Sequence, residues 1–154
     1  CHDDISSSEY LVNYLNIDNS SVPFFDMNQE LQLQKIIMEL IKNQKIKSAH
    51  DVSDGGLYVN LIESGIVRNL GFDIFTNHDF RQDAYLFGES QSRVVVTIAN
   101  KERHKFERHL NGKINYTFLG QVTEGKLVID DEDFGNILSV KNQYMSSVES
   151  ILKS

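Results

Sequence analysis

The amino-acid sequence predicts an α+β or three-layer domain with a mixed sheet. Segments whose apolar residues recur at helical spacing alternate with short stretches rich in β-branched residues, and the predicted strands are partly non-adjacent along the chain. The chain has 154 residues, of which 40% are hydrophobic, 24% are charged and one is proline. This composition is typical of one globular domain and excludes collagen-like, low-complexity and disordered chains.

A polar arm and a long helix come first. Residues 1–25 mix Ser, Asn and Asp with one short apolar stretch and end near Pro23, so we expect a connecting arm that carries one short helix. Asp26 followed by Gln29 is a capping-box arrangement, and the apolar residues after it recur at helical spacing: Leu33, Ile36, Ile37, Leu40 and Ile41. The sequence therefore predicts a helix over 27–44 and a single domain over 26–154.

A strand, a glycine turn and a helix follow. Residues 46–50 are predicted to be extended, residues 51–56 to form a turn, and the next apolar residues to lie on a helix closed by Gly65. Residues 71–75 are predicted to form another strand. Residues 93–99 are so rich in β-branched side chains that we expect a strand buried on both faces at the centre of a sheet.

The last third is predicted to contain two helices and two strands. A charged helix over 101–110 ends at Asn111-Gly112, and residues 114–122 and 126–129 read as strands around a Thr-Glu-Gly turn. After the acidic loop 130–133, a final helix carries apolar residues at helical spacing: Val140, Tyr144, Val148 and Ile151.

Charge and cysteine content limit the classes of partner. Fifteen Lys and Arg against 22 Asp and Glu give a net charge of −7, which disfavours nucleic acid and anionic membranes as partners. The only cysteine is Cys1, so an intrachain disulfide is excluded and a reducing, cytoplasmic location is expected. No apolar run approaches the roughly 20 residues that span a bilayer. Because the chain begins with Cys1, we expect it to be a fragment of a longer protein.

The segment His50-Asp51-Val52-Ser53-Asp54-Gly55-Gly56 is the first candidate site. Its two glycines allow close backbone approach to a ligand, the following helix start offers N–H groups to phosphate, and Asp51 is a hard oxygen ligand of the kind that Mg²⁺ takes. The alternative interpretation is structural: Ser53 or Asp54 caps the helix, and the glycines make the turn. His50 is interpreted as a hydrogen-bonded neighbour rather than an acid or base.

The second candidate is Leu86-Phe87-Gly88-Glu89-Ser90-Gln91-Ser92-Arg93, which leads into the predicted central strand. Glu89, Gln91 and Arg93 offer a cation ligand, an amide and a bidentate anion clamp at one end of that strand. A Glu89–Arg93 ion pair that ties down the loop is the competing interpretation.

Two further acidic and histidine clusters are set aside. Asp130–Asp133 lacks the ligand spacing, the central glycine and the closing Glu of an EF-hand loop, so a solvated acidic loop is predicted. His104 and His109 are five residues apart, which does not align two zinc ligands on one helix face.

The motifs Ser-Ala-His-Asp-Val-Ser-Asp-Gly-Gly-Leu at 48–57 and Leu-Phe-Gly-Glu-Ser-Gln-Ser-Arg at 86–93 occur in the same order as in a known family. With Ser8-Glu9-Tyr10-Leu11, they make the chain resemble the C-terminal domain of phosphoribosylformylglycinamidine synthases from about residue 5 to 122. The resemblance implies the three-layer α/β/α domain, partly ferredoxin-like, of aminoimidazole ribonucleotide synthetase and selenophosphate synthetase. Ser6-Ser7-Ser8 departs from the glycines found there in many relatives, which puts a phosphate contact by that segment in doubt.

The resemblance also implies an activity and its ligands. The family converts formylglycinamide ribonucleotide, ATP and glutamine to formylglycinamidine ribonucleotide, ADP, phosphate and glutamate, with Mg²⁺ at the nucleotide. Asp51 matches a metal-binding aspartate, and the matching nucleotide-binding positions are Ser53, Gly55, Gly56, Glu89, Gln91 and Arg93. The implied partners are the remaining domains of the synthase, a glutaminase that supplies ammonia, and small-molecule nucleotides.

Alternatives remain within the resemblance. Family members keep two related clefts, so this cleft is either catalytic or an auxiliary site where bound nucleotide is structural. The domain is expected to be inactive alone, to contain no complete catalytic set, and to expose apolar surface through which it can form a homodimer. A structural or docking unit with a vestigial site is a second hypothesis, and another member of the superfamily, such as a selenophosphate synthetase, is a third.

Overall fold

The computed structural model describes residues 4–152 and has an α+β fold, as predicted. It divides into two compact units, one of residues 4–60 and 80–118 and the other of residues 61–79 and 119–152. Cys1 lies outside the described residues. Among these, no helix combines the length and the apolar character that crossing a membrane requires.

The first unit holds several helices and a small sheet. A five-residue π-helix, Tyr10–Tyr14, precedes helix α1, Met27–Lys42, and strand β1, Ser48–Asp51. Helix α2, Gly56–Ile66, starts in this unit and carries the chain into the second. Helix α3, Gln82–Phe87, strand β3, Val94–Thr97, and helix α4, Arg103–Leu110, complete the first unit, with a short 3₁₀ turn at Asn100–Glu102 before α4.

Helix α1 begins where its cap predicts. The Asp26 carboxylate accepts hydrogen bonds from the backbone N–H groups of Asn28 and Gln29, at 2.8 and 3.2 Å, which satisfies two otherwise unpaired donors of the first turn. Leu33, Ile36 and Leu40 of the predicted apolar face are buried, whereas Ile41 is exposed. Ile36 and Leu40 form a cluster with Leu110 of α4, and the half-buried side chains packed on it are Ile37, Ile46, Phe106 and Ile114. The predictions for both helices are therefore confirmed.

The position predicted for strand β3 is wrong. Within the described residues the strand pairs with β1 alone, antiparallel, with Asp51 opposite Val94 and Ser48 opposite Thr97, in a two-stranded sheet. All four of its residues are half-buried rather than fully buried. A high content of β-branched residues predicts that a segment is extended and partly buried, but it does not predict how many strands pair with that segment.

The second unit contains the mixed sheet. Its strands are β2, Gly71–Ile74, β4, Gly120–Thr123, β5, Lys126–Ile129, and β6, Glu132–Asn136, in the order β4-β2-β5-β6. The β2–β5 pair is parallel and the other two are antiparallel. The helix α5, Ile137–Leu152, follows β6. The predicted mixed sheet and final helix are confirmed.

The predicted hairpin across Thr-Glu-Gly is wrong. Strand β2 lies between β4 and β5, so the two strands that flank this turn do not pair with each other. Residues 114–119 are not strand, and β4 starts only at Gly120. A short turn between two apolar runs indicates a hairpin only when no third strand competes for the shared edge.

The Asp130–Asp133 segment is a hairpin turn and a strand start, not a loop. Asp130 and Asp131 both have positive φ, 51° and 66°, and Ile129 pairs with Glu132, as in a two-residue type I′ turn. The Asp130 carboxylate accepts hydrogen bonds from the Thr76 backbone N–H and hydroxyl, at 2.7 and 2.6 Å. Strand β6, all of whose residues are exposed, has no apolar alternation and is missing from the sequence prediction.

The predicted closing glycine of α2 has another function. Gly65 lies inside the helix, one residue before its end, and its φ is not positive. A Cβ atom there would lie 2.1 Å from the Leu70 carbonyl oxygen. Glycine is needed because the chain folds back tightly onto the helix.

Candidate functional site

A cleft of about 450 Å³ in the first unit brings the two candidate motifs together. Antiparallel pairing of β1 with β3 places the end of one strand beside the start of the other, so the turn after Asp51 faces the loop before Val94. Helix α1 and the N-terminal arm supply the remaining walls. The lining residues are Ser7, Pro23, Glu30, Leu33, Asp51, Val52, Ser53, Asp54, Glu89, Gln91, Ser92, Arg93 and Val94.

Asp51 presents an ionised, exposed carboxylate to this cleft. The Ser53 hydroxyl donates a hydrogen bond to its Oδ2 at 2.7 Å. That bond, with a backbone hydrogen bond and the neighbouring His50, holds the pKa of Asp51 below its usual range. The buried Asn60 amide donates a hydrogen bond to the Asp51 carbonyl oxygen at 2.6 Å.

The two glycines shape the turn behind the cleft. Gly55 and Gly56 have φ of +80° and +70°, which L-residues rarely adopt. A Cβ at Gly56 would lie 2.7 Å from the Leu86 carbonyl oxygen and from the Phe87 backbone. Neither glycine lines the cleft, and the Gly55 N–H already donates to the Glu89 carboxylate at 2.8 Å.

Glu89 and Arg93 line the cleft, but both side chains make hydrogen bonds within the fold. Glu89 Oε1 accepts from the backbone N–H groups of Gly55 and Glu9, at 2.8 and 2.9 Å. The Arg93 guanidinium donates to the carbonyl oxygens of Gly88 and Tyr85, at 3.0 and 3.1 Å, and its burial lowers its pKa. Among the described residues there is no Glu89–Arg93 ion pair, so that interpretation is wrong.

Gln91 and Ser53 are the predicted nucleotide-binding residues that remain most accessible. Both are exposed side chains that line the cleft. Within residues 4–152, the Gln91 side chain makes no hydrogen bond, whereas the Ser53 hydroxyl is bonded to Asp51. Gln91 is thus a free amide donor and acceptor in the loop.

Sequence reasoning missed Glu30, and it left a contact by the Ser6-Ser7-Ser8 segment in doubt, although both Glu30 and Ser7 line the cleft. Glu30 lies in the first turn of α1 and accepts a hydrogen bond from the Ser92 hydroxyl at 2.6 Å. Ser7 has φ of 54°, and its N–H donates to the Ser20 hydroxyl at 2.6 Å. An acidic residue in the first turn of a helix is ordinarily explained by its favourable interaction with the helix dipole. Nothing in the local sequence predicts that Glu30 contacts a loop about 60 residues away.

The cleft carries more carboxylates than cations. Glu30, Asp51, Asp54 and Glu89 line it together with one guanidinium that is already hydrogen-bonded. A bare phosphate would meet a negative field here, whereas a phosphate with a divalent cation would not.

The carboxylates of the cleft fit an Mg²⁺ ion that is coordinated partly by the protein and partly by the phosphates of a bound nucleotide. In the described part of the chain, no three His, Cys, Asp or Glu side chains are grouped to hold a metal ion. Mg²⁺ is commonly bound by one or two carboxylates together with substrate phosphates and water, and an exposed, ionised Asp51 matches that mode.

The histidines that were set aside lie on α4, away from this chemistry. His109 Nε2 lies 3.0 Å from Glu39 Oε1, and Lys45 Nζ lies 3.1 Å from His109 Nδ1, which ties α4 to the end of α1. His104 is exposed and lies 3.8 Å from Glu107.

Comparisons with known proteins extend these observations. Residues 3–131 match the family described as AIR synthase related protein, C-terminal domain. The chain is 35% identical over 130 residues to phosphoribosylformylglycinamidine synthase subunit PurL of Prochlorococcus marinus, covering 79% of this chain and 16% of the relative. It is 37% identical over 139 residues to the Salinibacter ruber subunit, covering 86% and 18%. The chain therefore spans about a sixth of the length of these curated relatives.

Solved structures resemble the fold at low sequence identity. T. maritima PurL complexed with FGAR has a TM-score of 0.67 and 16% identity, with 82% of this chain and 23% of that chain covered. T. maritima PurL complexed with ATP has a TM-score of 0.60 and 16% identity, with 71% and 21% covered.

Proposed function

Because the chain belongs to the family of AIR synthase related proteins through their C-terminal domain, we propose that it is the C-terminal domain of a phosphoribosylformylglycinamidine synthase. In the full protein, the reaction would convert formylglycinamide ribonucleotide, ATP, glutamine and water to formylglycinamidine ribonucleotide, ADP, phosphate and glutamate. ATP would phosphorylate the amide oxygen, and ammonia released from glutamine would displace the phosphate. The family match over residues 3–131 and PurL relatives at 35% and 37% identity support this assignment.

One observation carries the proposal about the site. The turn after β1 and the loop before β3, which hold both family-like motifs, line the same cleft. Each motif alone has a structural explanation, but their convergence on one acidic cavity favours a ligand site.

The residues divide into two roles. Asp51 would hold Mg²⁺ jointly with phosphate oxygens, and Ser53 and Gln91 would contact the nucleotide. The other four predicted residues would contribute without contacting the nucleotide, because they fix the backbone that forms the walls of the cleft: Gly55, Gly56, Glu89 and Arg93. When bound, Mg²⁺ would neutralise the negative charge of the phosphates during phosphoryl transfer.

The proposal includes the context of the domain. Residues 1–25 would be the connecting arm and residues 26–154 the domain, joined to the remaining synthase domains and served by a glutaminase. The protein would act in the cytoplasm, with no nucleic acid or membrane partner. The isolated domain would be inactive, since the rest of each site lies elsewhere, and it could self-associate through its exposed apolar side chains.

The Asp51→Asn variant of the full-length protein tests this function. We expect formylglycinamidine ribonucleotide formation to fall at least a hundredfold while mass photometry shows unchanged assembly, because the amide is a poor ligand for Mg²⁺. The matched control is Asp131→Asn, in an exposed turn with φ of 66° that Asn tolerates. Full activity of the Asp51 variant would refute a metal role.

A structural role is the second candidate, and one observation favours it. Glu89 and Arg93, the two charged residues of the second motif, are committed to backbone groups of their own unit. If the cleft is an auxiliary or vestigial nucleotide site, Asp51→Asn will disturb assembly or retained nucleotide before it disturbs the rate per assembled enzyme.

A further inference from the structure

The loop of residues 88–93, here called the cleft loop, is anchored at nearly every position. Gly88 donates its N–H to the Ala84 carbonyl at 3.0 Å, Glu89 binds two backbone N–H groups, Ser90 is 2% exposed, and Arg93 binds two carbonyl oxygens. Gln91 is the exception, because its side chain is exposed and makes no hydrogen bond within the described residues. The cleft loop therefore leaves the Gln91 side chain free at the cleft, while its other anchored residues are held in place.

The backbone next to Gln91 is strained. Ser92 has φ of 62°, a left-handed conformation that is unfavourable for a non-glycine residue. Strain of this kind persists only where surrounding contacts impose it, and it is concentrated at ligand-binding sites. A contact must therefore hold Ser92 in this conformation.

Glu30 supplies that contact from a different element. Its Oε2 accepts a hydrogen bond from the Ser92 hydroxyl at 2.6 Å, and Gln34 donates to its Oε1 at 2.6 Å from the next turn of α1. These two bonds lower the pKa of Glu30, so the acceptor is a carboxylate and the bond to Ser92 is charge-assisted. Both Glu30 and Ser92 line the cleft.

We propose that Glu30 is a positioning residue: its carboxylate holds Ser92 in the left-handed conformation and thereby directs the Gln91 amide at the nucleotide in the cleft. The inference rests on the proposed function for the identity of the ligand. The contact between helix and loop is independent of that function and has its own readout.

The experiment uses the full-length synthase and measures two quantities. Hydrogen-exchange mass spectrometry of a peptide covering residues 88–93 reports the order of the cleft loop without a ligand. Calorimetric titration with Mg²⁺ and a non-hydrolysable ATP analogue reports binding. The variants are Glu30→Ala, Glu30→Gln, Ser92→Gly and Gln91→Ala, and Glu124→Ala, an exposed carboxylate in the β4–β5 turn, is the matched control.

We expect Glu30→Ala to speed exchange in the cleft loop and to weaken binding roughly tenfold, as Gln91→Ala does, while Glu124→Ala changes neither. Glu30→Gln should recover most of both, since its amide oxygen still accepts from Ser92. In a Ser92→Gly background, which lacks the hydroxyl that binds Glu30 and adopts positive φ without strain, Glu30→Ala should have a smaller effect.

Three results would overturn the inference. Unchanged exchange in Glu30→Ala would show that the carboxylate does not hold the loop. Weaker binding in Gln91→Ala but not in Glu30→Ala would remove the positioning role and leave the proposed function intact. No effect of Gln91→Ala on binding would remove the proposed nucleotide role of this cleft, and the positioning role with it.

Discussion

The Glu89 carboxylate accepts a hydrogen bond from the Gly55 N–H at 2.8 Å, although 34 residues separate the two. The same oxygen accepts from the Glu9 N–H at 2.9 Å. One side chain thus ties together the N-terminal arm, the turn after β1 and the loop before β3. A glutamate therefore suits this position for a structural reason, since its acceptor oxygen binds backbone N–H groups rather than a ligand.

Glu89→Ala is expected to destabilise the chain by about 2 kcal/mol, because two backbone donors lose a charged acceptor. Glu89→Gln should cost about 1 kcal/mol or less, since its amide oxygen still accepts. Urea denaturation of the variants measures both values. Equal losses for Ala and Gln would show that charge, rather than the hydrogen bonds, matters at this position.

Gly56→Ala and Gly112→Ala form a matched pair, with φ of +70° and +72°. No atom of the described part of the chain lies within 4 Å of a Cβ at Gly112, so the left-handed backbone is the cost there, about 1–2 kcal/mol. At Gly56 a Cβ also meets the Leu86 and Phe87 backbone at 2.7 Å, so we expect a loss of about 3 kcal/mol or more. Thermal denaturation that ranked the two equally would contradict the steric argument.

Helix α1 and the glycine turn could be predicted because their determinants are local. The Asp26 cap and the apolar spacing after it lie within four turns of one another, and Gly55-Gly56 adopts the positive φ that its sequence favours. The neighbours of β3 and the separation of β4 from β5 depend on non-local pairing. No spacing within a segment encodes which distant strand will occupy its edge.

The candidate site likewise contains residues that could be predicted from local motifs and residues that could not. Asp51 and Gln91 were predicted from their motifs and lie at the cleft, but the motifs did not predict that Arg93 binds carbonyl oxygens of its own loop. Glu30 was missed because its contact with Ser92 joins a helix to a loop 62 residues away. Motif residues indicate where a site is, and tertiary contacts decide which of them remain free.

The acid titration of Asp51 should depend on Ser53. The Ser53 hydroxyl is the main cause of the lowered pKa of Asp51, so Ser53→Ala should raise that pKa towards the ordinary range of an aspartate. Because the folded pKa lies below the unfolded one, the carboxylate stabilises the fold above about pH 4 and loses this contribution as pH falls through the folded pKa.

NMR titration of the Asp51 carboxyl carbon measures this pKa directly. Ser139→Ala, at an exposed serine in α5, is the control and should leave the titration unchanged. An Asp51 pKa that did not move in Ser53→Ala would assign the shift to its backbone hydrogen bond and to His50 instead.

The Asp130-Asp131 turn predicts opposite effects for the same substitution at adjacent residues. Both have positive φ, which glycine adopts without strain, but only the Asp130 carboxylate is bonded to Thr76. Asp131→Gly should stabilise the chain by about 0.5 kcal/mol through relief of backbone strain. Asp130→Gly should destabilise it by about 2 kcal/mol, because the buried Thr76 N–H and hydroxyl lose a charged acceptor. Urea denaturation of the two variants gives both signs, and stabilisation by both substitutions would mean that the Thr76 bonds contribute nothing.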